Sequence, residues 1–174
     1  MKSIERGYIQ VYTGNGKGKT TAALGLALRA AGAGFNVFIG QFLKAKTSSE
    51  YKALSRFKDL ITIKAYGRKG LLKEVSPIDI KLARDGLEDS KRAILSNKYK
   101  LVILDEASVA VHLNLFPIEA LLEVVLIKPP PLELVITGRY AHRRLIEIAD
   151  LVTEMKEIKH YYKKGITCRR GIEY

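Results

Sequence analysis

The chain has no tryptophan and a single cysteine, Cys168, among its 174 residues. One thiol cannot form an intrachain disulfide, so covalent staples are excluded and a reducing compartment, the cytoplasm, is the expected setting. No apolar run reaches 18 residues, and no membrane-spanning helix is therefore expected. The opening M-K-S-I-E-R is polar, without the apolar stretch of a secretory leader, and none is expected. His112, His142 and His160 are scattered without metal-ligand spacing, which predicts structural or surface roles. Internal repeats, low-complexity tracts and linkers are missing as well. With 47% hydrophobic residues, the chain reads as one domain, 1–174, with a core of its own.

Acidic residues are also scarce: 18 Asp and Glu face 30 Lys and Arg, for a net charge of +12. The excess is local. Lys44–Lys73 holds nine cations against Glu50 and Asp59, and Lys156–Arg170 holds six against Glu157. Such a field attracts polyanions, whether nucleotides, nucleic acid or an acidic protein, although solvated surface lysine gives the same count.

The pattern of elements alternates. Gly7–Tyr12, Asn36–Phe42, Leu60–Tyr66, Leu101–Glu106, Leu132–Thr137 and Leu151–Ile158 read as strands. Helices are expected over Thr20–Ala33, Ser48–Phe57, from Ser76-Pro77 onward, from Pro117 to the P-P-P at 129–131, and over Tyr140–Ala149. This predicts an α/β fold, a mainly parallel sheet of about six strands with helices on both faces. The basic tail, about 159–174, has no core periodicity.

The strongest local signal is V-Y-T-G-N-G-K-G-K-T-T at 11–21. A strand, a glycine-rich turn, Gly-Lys-Thr and then a helix form the context of a phosphate-binding loop. The loop amides and the positive helix end converge on an anion. Lys19 would reach the terminal phosphates, and the Thr20 hydroxyl would ligate Mg²⁺. Thr13 stands where the usual pattern opens with glycine. Some 85 residues on, L-V-I-L-D-E ends an apolar strand in Asp105 and Glu106, the acidic partner such folds use for the metal. Both features together predict a protein that binds a nucleoside triphosphate with Mg²⁺.

What happens to the nucleotide stays open on these grounds. Asp105-Glu106 suits a water-activating ATPase, and the charge suits a nucleic-acid-stimulated one, although no aromatic-interleaved basic groove accompanies it. Arg139, Arg143 and Arg144, after a strand end, suit a small-molecule kinase. A nucleotide carrier without turnover is a fourth reading.

The wording of six blocks in order narrows the choice. I-Q-V-Y-T-G-N-G-K-G-K-T-T-A-A-L-G-L-A-L-R-A-A-G, Q-F-L-K, L-V-I-L-D-E, L-E-L-V-I-T-G-R, A-D-L-V-T-E-M and the terminal G-I-E-Y resemble the phosphate-loop type of cob(I)alamin (ATP:corrinoid) adenosyltransferases. The resemblance includes the threonine at position 13. It implies a three-layer, RecA-like P-loop NTPase fold and transfer of the 5′-deoxyadenosyl group of ATP to the cobalt of a reduced corrinoid, with release of triphosphate. It also implies a homodimer, a flavodoxin-like electron donor, Mg²⁺ or Mn²⁺, and no role for nucleic acid. By the same match, Thr13, Gly14, Asn15, Gly16, Lys17, Gly18, Lys19, Thr20 and Thr21 would surround the triphosphate, with Arg29 and Arg139 as further nucleotide contacts. Lys19, Thr20 and Glu106 would be the catalytic residues; Thr20, Asp105 and Glu106 would serve the metal. The tail would pack near the active site or at a dimer contact. Members often carry aromatic residues in the loop before the central helix, near 66–74, where this chain has Leu71 and Leu72 to form an apolar wedge beneath the corrin ring.

Overall fold

The computed structural model describes residues 6–70 and 74–173. Six strands form one parallel sheet: β1 (Ile9–Thr13), β2 (Val37–Phe42), β3 (Ile61–Tyr66), β4 (Leu101–Asp105), β5 (Glu133–Thr137) and β6 (Leu151–Glu154), in the order β3-β2-β4-β5-β1-β6. All five neighbouring pairs are parallel. Strands β2 and β4 are buried throughout, which is why V-F-I-G-Q-F and L-V-I-L-D read as continuous runs instead of alternating ones.

Alternate residues of the inner strands β2, β4 and β5 feed two cores. Ile39, Ile103 and Val135 face α1 (Lys19–Gly32) and α2 (Ser49–Leu54), packing on Ala23, Leu24, Ala27, Ala31 and Leu54. Phe38, Val102, Leu104 and Ile136 face the opposite layer, which contains α3 (Pro77–Leu95), α4 (Ala107–His112), α5 (Ile118–Leu126) and α6 (Arg143–Ile148). The result is the expected three-layer sandwich. The registers Gln41↔Asp105 and Tyr12↔Thr137 bring the chemically loaded ends of β1, β2, β4 and β5 to one edge.

Differences from the sequence reading fall where the chain bends sharply. Helix α4 follows β4 after a single residue, Glu106, whose backbone is left-handed (φ 63°); A-S-V-A-V-H reads as more of the same apolar run. Helix α6 begins at Arg143, not Tyr140, because His142 is its N-cap and its ring nitrogen accepts the Arg144 N–H. Strand β6 ends at Glu154 because the next residue, Met155, turns onto the loop after β1. Leu71 and Leu72 lie outside the described residues.

Helix α3 starts as its sequence signals: the Ser76 N–H and hydroxyl both donate to Asp79, the first-turn carboxylate, and Pro77 opens the helix. Gly86 lets this helix settle on the sheet. A Cβ there would lie 2.7 Å from the Tyr66 ring and 3.0 Å from Phe42. The Tyr66 ring cannot swing away freely, since its hydroxyl donates to Asp89, which also takes Lys64. Burial works against the Asp89 charge, but these bonds prevail and hold its pKa at about 2. Alanine would gain about 1 kcal/mol of helix propensity and lose about 1–3 kcal/mol to overpacking. Gly86→Ala is therefore expected to destabilise the fold, read as a lower urea midpoint at unchanged slope; a raised midpoint would refute this packing.

Candidate nucleotide-binding site

The loop after β1 is held from behind. Met155 donates its N–H to the Thr13 carbonyl (2.8 Å) and accepts the Gly16 N–H (2.7 Å). A Cβ on Gly14 would meet the Met155 carbonyl at 2.5 Å, and one on Gly16 would meet it at 2.8 Å. Two of the three loop glycines thus make room for the chain leaving β6. Gly18 has φ 114° and precedes α1, which no side chain caps, so the first-turn amides of the helix remain open to an anion. Asn15 accepts the Glu157 N–H (3.1 Å), and the Thr13 hydroxyl oxygen accepts the Ala141 N–H (3.3 Å). Thr13, Gly14 and Asn15 anchor the loop and do not line the cavity it borders.

That cavity, about 710 Å³, is lined by Gly16, Lys17, Gly18, Lys19, Thr20 and Thr21, by Leu24, Gly25 and Leu28 of α1, by Lys44, Ser49 and Glu50, by Glu106 and Arg139, and by Gly171–Glu173 of the tail. The Lys19 ammonium folds back on the Gly14 and Gly16 carbonyls at 2.7 and 2.6 Å. Burial pushes its pKa down, partly offset by Glu106.

Behind the cavity lies Asp105, fully buried at the end of β4. Its two oxygens take four donors. Thr20 (2.8 Å) and Thr137 (2.7 Å) donate to Oδ1, while Gln41 (3.0 Å) and Lys44 (3.0 Å) donate to Oδ2. Burial alone would raise the Asp105 pKa, yet Lys44 and the hydroxyls overcome it and hold the carboxyl below its ordinary value. Glu106 is opposite in kind. Its backbone N–H is fixed by the Thr137 hydroxyl at 3.0 Å, but its carboxylate has no hydrogen-bond donor among the described residues. Burial, then Asp105, push its pKa up. One acid of the pair is saturated and the other is free to accept, and the free one faces the cavity.

The basic tail closes one wall. Lys17 donates to the Tyr161 hydroxyl (2.5 Å) and to Glu173 (2.6 Å), and Arg169 holds Glu173 through its backbone N–H and guanidinium. Of the residues expected at the site, Arg29 lies exposed in the last turn of α1, outside the cavity lining. Arg143 and Arg144 pair with Glu147 and Glu119 on the surface, which removes the clustered arginines a kinase reading needed. His112 stacks on Tyr140, and His160 accepts the Tyr162 N–H, structural roles as expected. Lys44, Glu50, Thr137 and Gln41 were not singled out as site residues. Lys44 and Gln41 sit in the quoted Q-F-L-K, whose position at the end of β2 was the available signal.

A glycine loop feeding a helix, faced across one intervening strand by an acidic strand end, defines a P-loop nucleotide-binding α/β domain. Residues 5–174 match the family described as ATP:corrinoid adenosyltransferase BtuR/CobO/CobP, and the chain belongs to that family, which makes ATP and a corrinoid its substrates. It is 34% identical to a corrinoid adenosyltransferase of Escherichia coli K12 over 98% of this chain and 87% of the relative. It shares the same identity and coverage with corrinoid adenosyltransferase CobA of Salmonella typhimurium. A corrinoid adenosyltransferase of Pseudomonas aeruginosa is also 34% identical, over 98% of this chain and 85% of its own length.

Asp105→Asn tests the hub, because an NH₂ group would face two donors and leave Lys44 without its buried counter-charge. Breaking a buried pair costs about 3–5 kcal/mol, read by urea denaturation at pH 7. Since the folded pKa of Asp105 lies below the unfolded value of about 3.9, its ionisation stabilises the fold above that pH and the gain is lost as pH falls further. The difference between wild type and Asp105→Asn is expected to shrink below about pH 4; a constant difference would refute the assignment.

Proposed function

We propose that the chain transfers the 5′-deoxyadenosyl group of ATP to the cobalt of a reduced corrinoid and releases triphosphate. The observation that carries this reading is the cavity itself, which joins uncapped helix amides, Lys17 and Lys19 to an open acidic group, Glu106, and to the apolar wall of Leu24 and Leu28. In the reaction a cobalt–carbon bond forms to C5′ as the C5′–O bond breaks. The bonding electrons leave with triphosphate, and cobalt goes from the +1 to the +3 state. Cobalt(I) is a strong nucleophile, so no general base is needed. The protein's work is to orient ATP, for which positioning contributes about 7–11 kcal/mol, and to stabilise the leaving anion. Each preorganised donor is typically worth about 10²–10³ in rate. Gly16–Thr21, which line the cavity, would grip the triphosphate with Gly14 and Asn15 holding the loop behind them, Arg139 would add charge from across the cavity, and Arg29 would contact the nucleotide only after a change of conformation.

The donor set fits Mg²⁺ or Mn²⁺. Thr20, Asp105 and Glu106 offer only hard oxygen atoms, the kind these ions take together with substrate phosphates. An ammonium already sits against Thr20 and Asp105, which marks the place as one that attracts a cation. Thr20 and Glu106 would hold the ion, with Asp105 orienting the Thr20 hydroxyl. The metal supplies charge that stabilises triphosphate as it departs.

Cobalt(I) requires a low-potential donor, and a flavodoxin-like protein is the proposed one, in the cytoplasm. A homodimer is proposed as well; Leu151 and Val152 on the edge strand β6, and Ile158 beyond it, leave apolar surface for such a contact. ATP incubated anaerobically with chemically reduced corrinoid is expected to yield triphosphate and a light-sensitive cobalt–carbon product; ADP and phosphate would refute the reading. Lys19→Ala is expected to lower the rate at least about 10²-fold while circular dichroism and the unfolding midpoint stay near wild type. Full activity in that folded variant would refute the placement of phosphate.

A further inference from the structure

The ammonium of Lys44 lies 3.0 Å from Asp105 Oδ2, 3.2 Å from Thr20 Oγ1 and 3.5 Å from Glu50 Oε1. Its side chain is only 23% exposed. The carboxylates of Asp105 and Glu50 beside it keep the group a cation. We propose that Lys44 is the resident cation of the metal pocket. It holds Thr20 and Asp105 in register while the pocket is empty, withdraws to Glu50 when a divalent ion enters with the nucleotide, and so makes metal binding depend on nucleotide. This rests on the metal–nucleotide half of the proposed function and is independent of the corrinoid half.

Three observations lead there. First, the Thr20 hydroxyl already donates to Asp105 and accepts from the Lys44 ammonium, so an ion that takes the Thr20 oxygen displaces Lys44. Gln41 and Thr137 are fully buried; Thr20 and Lys44 are the two donors that line the cavity. Thr20 is itself a proposed metal ligand and keeps its bond to Asp105, so Lys44 is the donor that must move. Second, an ammonium and a divalent ion repel strongly at contact distance in a partly buried site. A metal entering alone meets that repulsion, whereas one entering with a polyphosphate is accompanied by more negative charge than the ammonium opposes. Glu50, in the first turn of α2 and on the same cavity wall, gives Lys44 a second carboxylate within reach. Third, the backbone is bent to aim this side chain. Leu43 is left-handed (φ 60°), a costly state for a residue with a side chain. Its surroundings enforce it: Leu43 donates its N–H to Tyr66, and Gly67 packs so closely that an added Cβ would lie 2.4 Å from the Leu43 carbonyl carbon. Strain held this firmly is of the kind that collects at functional sites.

The probe is Mn²⁺, followed by its free-ion electron paramagnetic resonance signal, with wild type, Lys44→Met and Lys44→Arg, each with and without ATP. Without nucleotide, Lys44→Met is expected to bind Mn²⁺ at least tenfold more tightly than wild type, and Lys44→Arg to behave like wild type. With ATP, all three are expected to take up the ion. A folded Lys44→Met with the metal affinity of wild type, alongside normal ATP-dependent uptake, overturns this proposal alone. Absence of uptake by wild type even with ATP overturns the metal–nucleotide reading and this proposal with it. Should Lys44→Met fail to fold, wild type labelled with ¹³C at lysine Cε decides the matter. The Lys44 resonance is expected to ignore Mg²⁺ alone and to shift with Mg²⁺ plus a non-hydrolysable ATP analogue; a shift with Mg²⁺ alone overturns the proposal.

Discussion

The working end of the molecule depends on one buried charge. Asp105 has no contact with water, and an isolated carboxylate there would be too costly to remain ionised. It stays ionised because four donors from four places in the chain reach it: Thr20 from α1, Gln41 from β2, Thr137 from β5 and Lys44 from just beyond β2. Those bonds stitch the loop helix to three strands. The sheet order, which sets β5 between β1 and β4, lets Thr137 serve both acids, donating to Asp105 and accepting from the Glu106 N–H. Moving any one of these elements would leave a buried donor or acceptor unpaired, at about 1–3 kcal/mol each. The site is rigid for the same reason that the sheet edge is stable.

The phosphate loop follows a similar logic. Its glycines look, from the chain alone, like space reserved for a ligand. At Gly14 and Gly16 the space is taken by Met155 and Lys156, whose backbone pins the loop from the side away from the cavity. Gly18, at the start of α1, is the one whose conformation opens the helix end. A loop fixed on one side and bare on the other is preorganised, so its amides need little reordering when an anion arrives.

Much of this was legible beforehand. Strand ends and the residues just after them carry the chemistry of parallel α/β folds, so Lys19, Thr20, Asp105 and Glu106 could be placed from V-Y-T-G-N-G-K-G-K-T-T and L-V-I-L-D-E alone, and six strands could be counted from their apolar runs. What escaped has physical causes. Helix α4 hides because a left-handed Glu106 turns an apolar run through a corner without glycine or proline. Lys44 hides because it is one of nine cations between residues 44 and 73, and only folding reveals that it points inward while the other cations of that stretch, among the described residues, face solvent. Glu173 and Tyr161 hide because a tail without periodicity gives no sign of the surface it will cover, yet both end up on Lys17.

The excess of positive charge takes on a different meaning once the fold is known. Read as a sum, +12 suits nucleic acid. Read by position, a handful of these groups surround one cavity: Lys17, Lys19, Lys44 and Arg139. Each is presently restrained by a local acceptor or a facing acid: Lys17 by Glu173, Lys19 by two loop carbonyls, Lys44 by Asp105, and Arg139 by the field of Glu106. A triphosphate would offer Lys17, Lys19 and Arg139 a stronger partner than the one each has, while Lys44 turns to Glu50. On the proposed reading, binding exchanges internal contacts for external ones without calling any new charge out of water, and that exchange is a means of holding a highly charged leaving group still while a bond to its carbon is made.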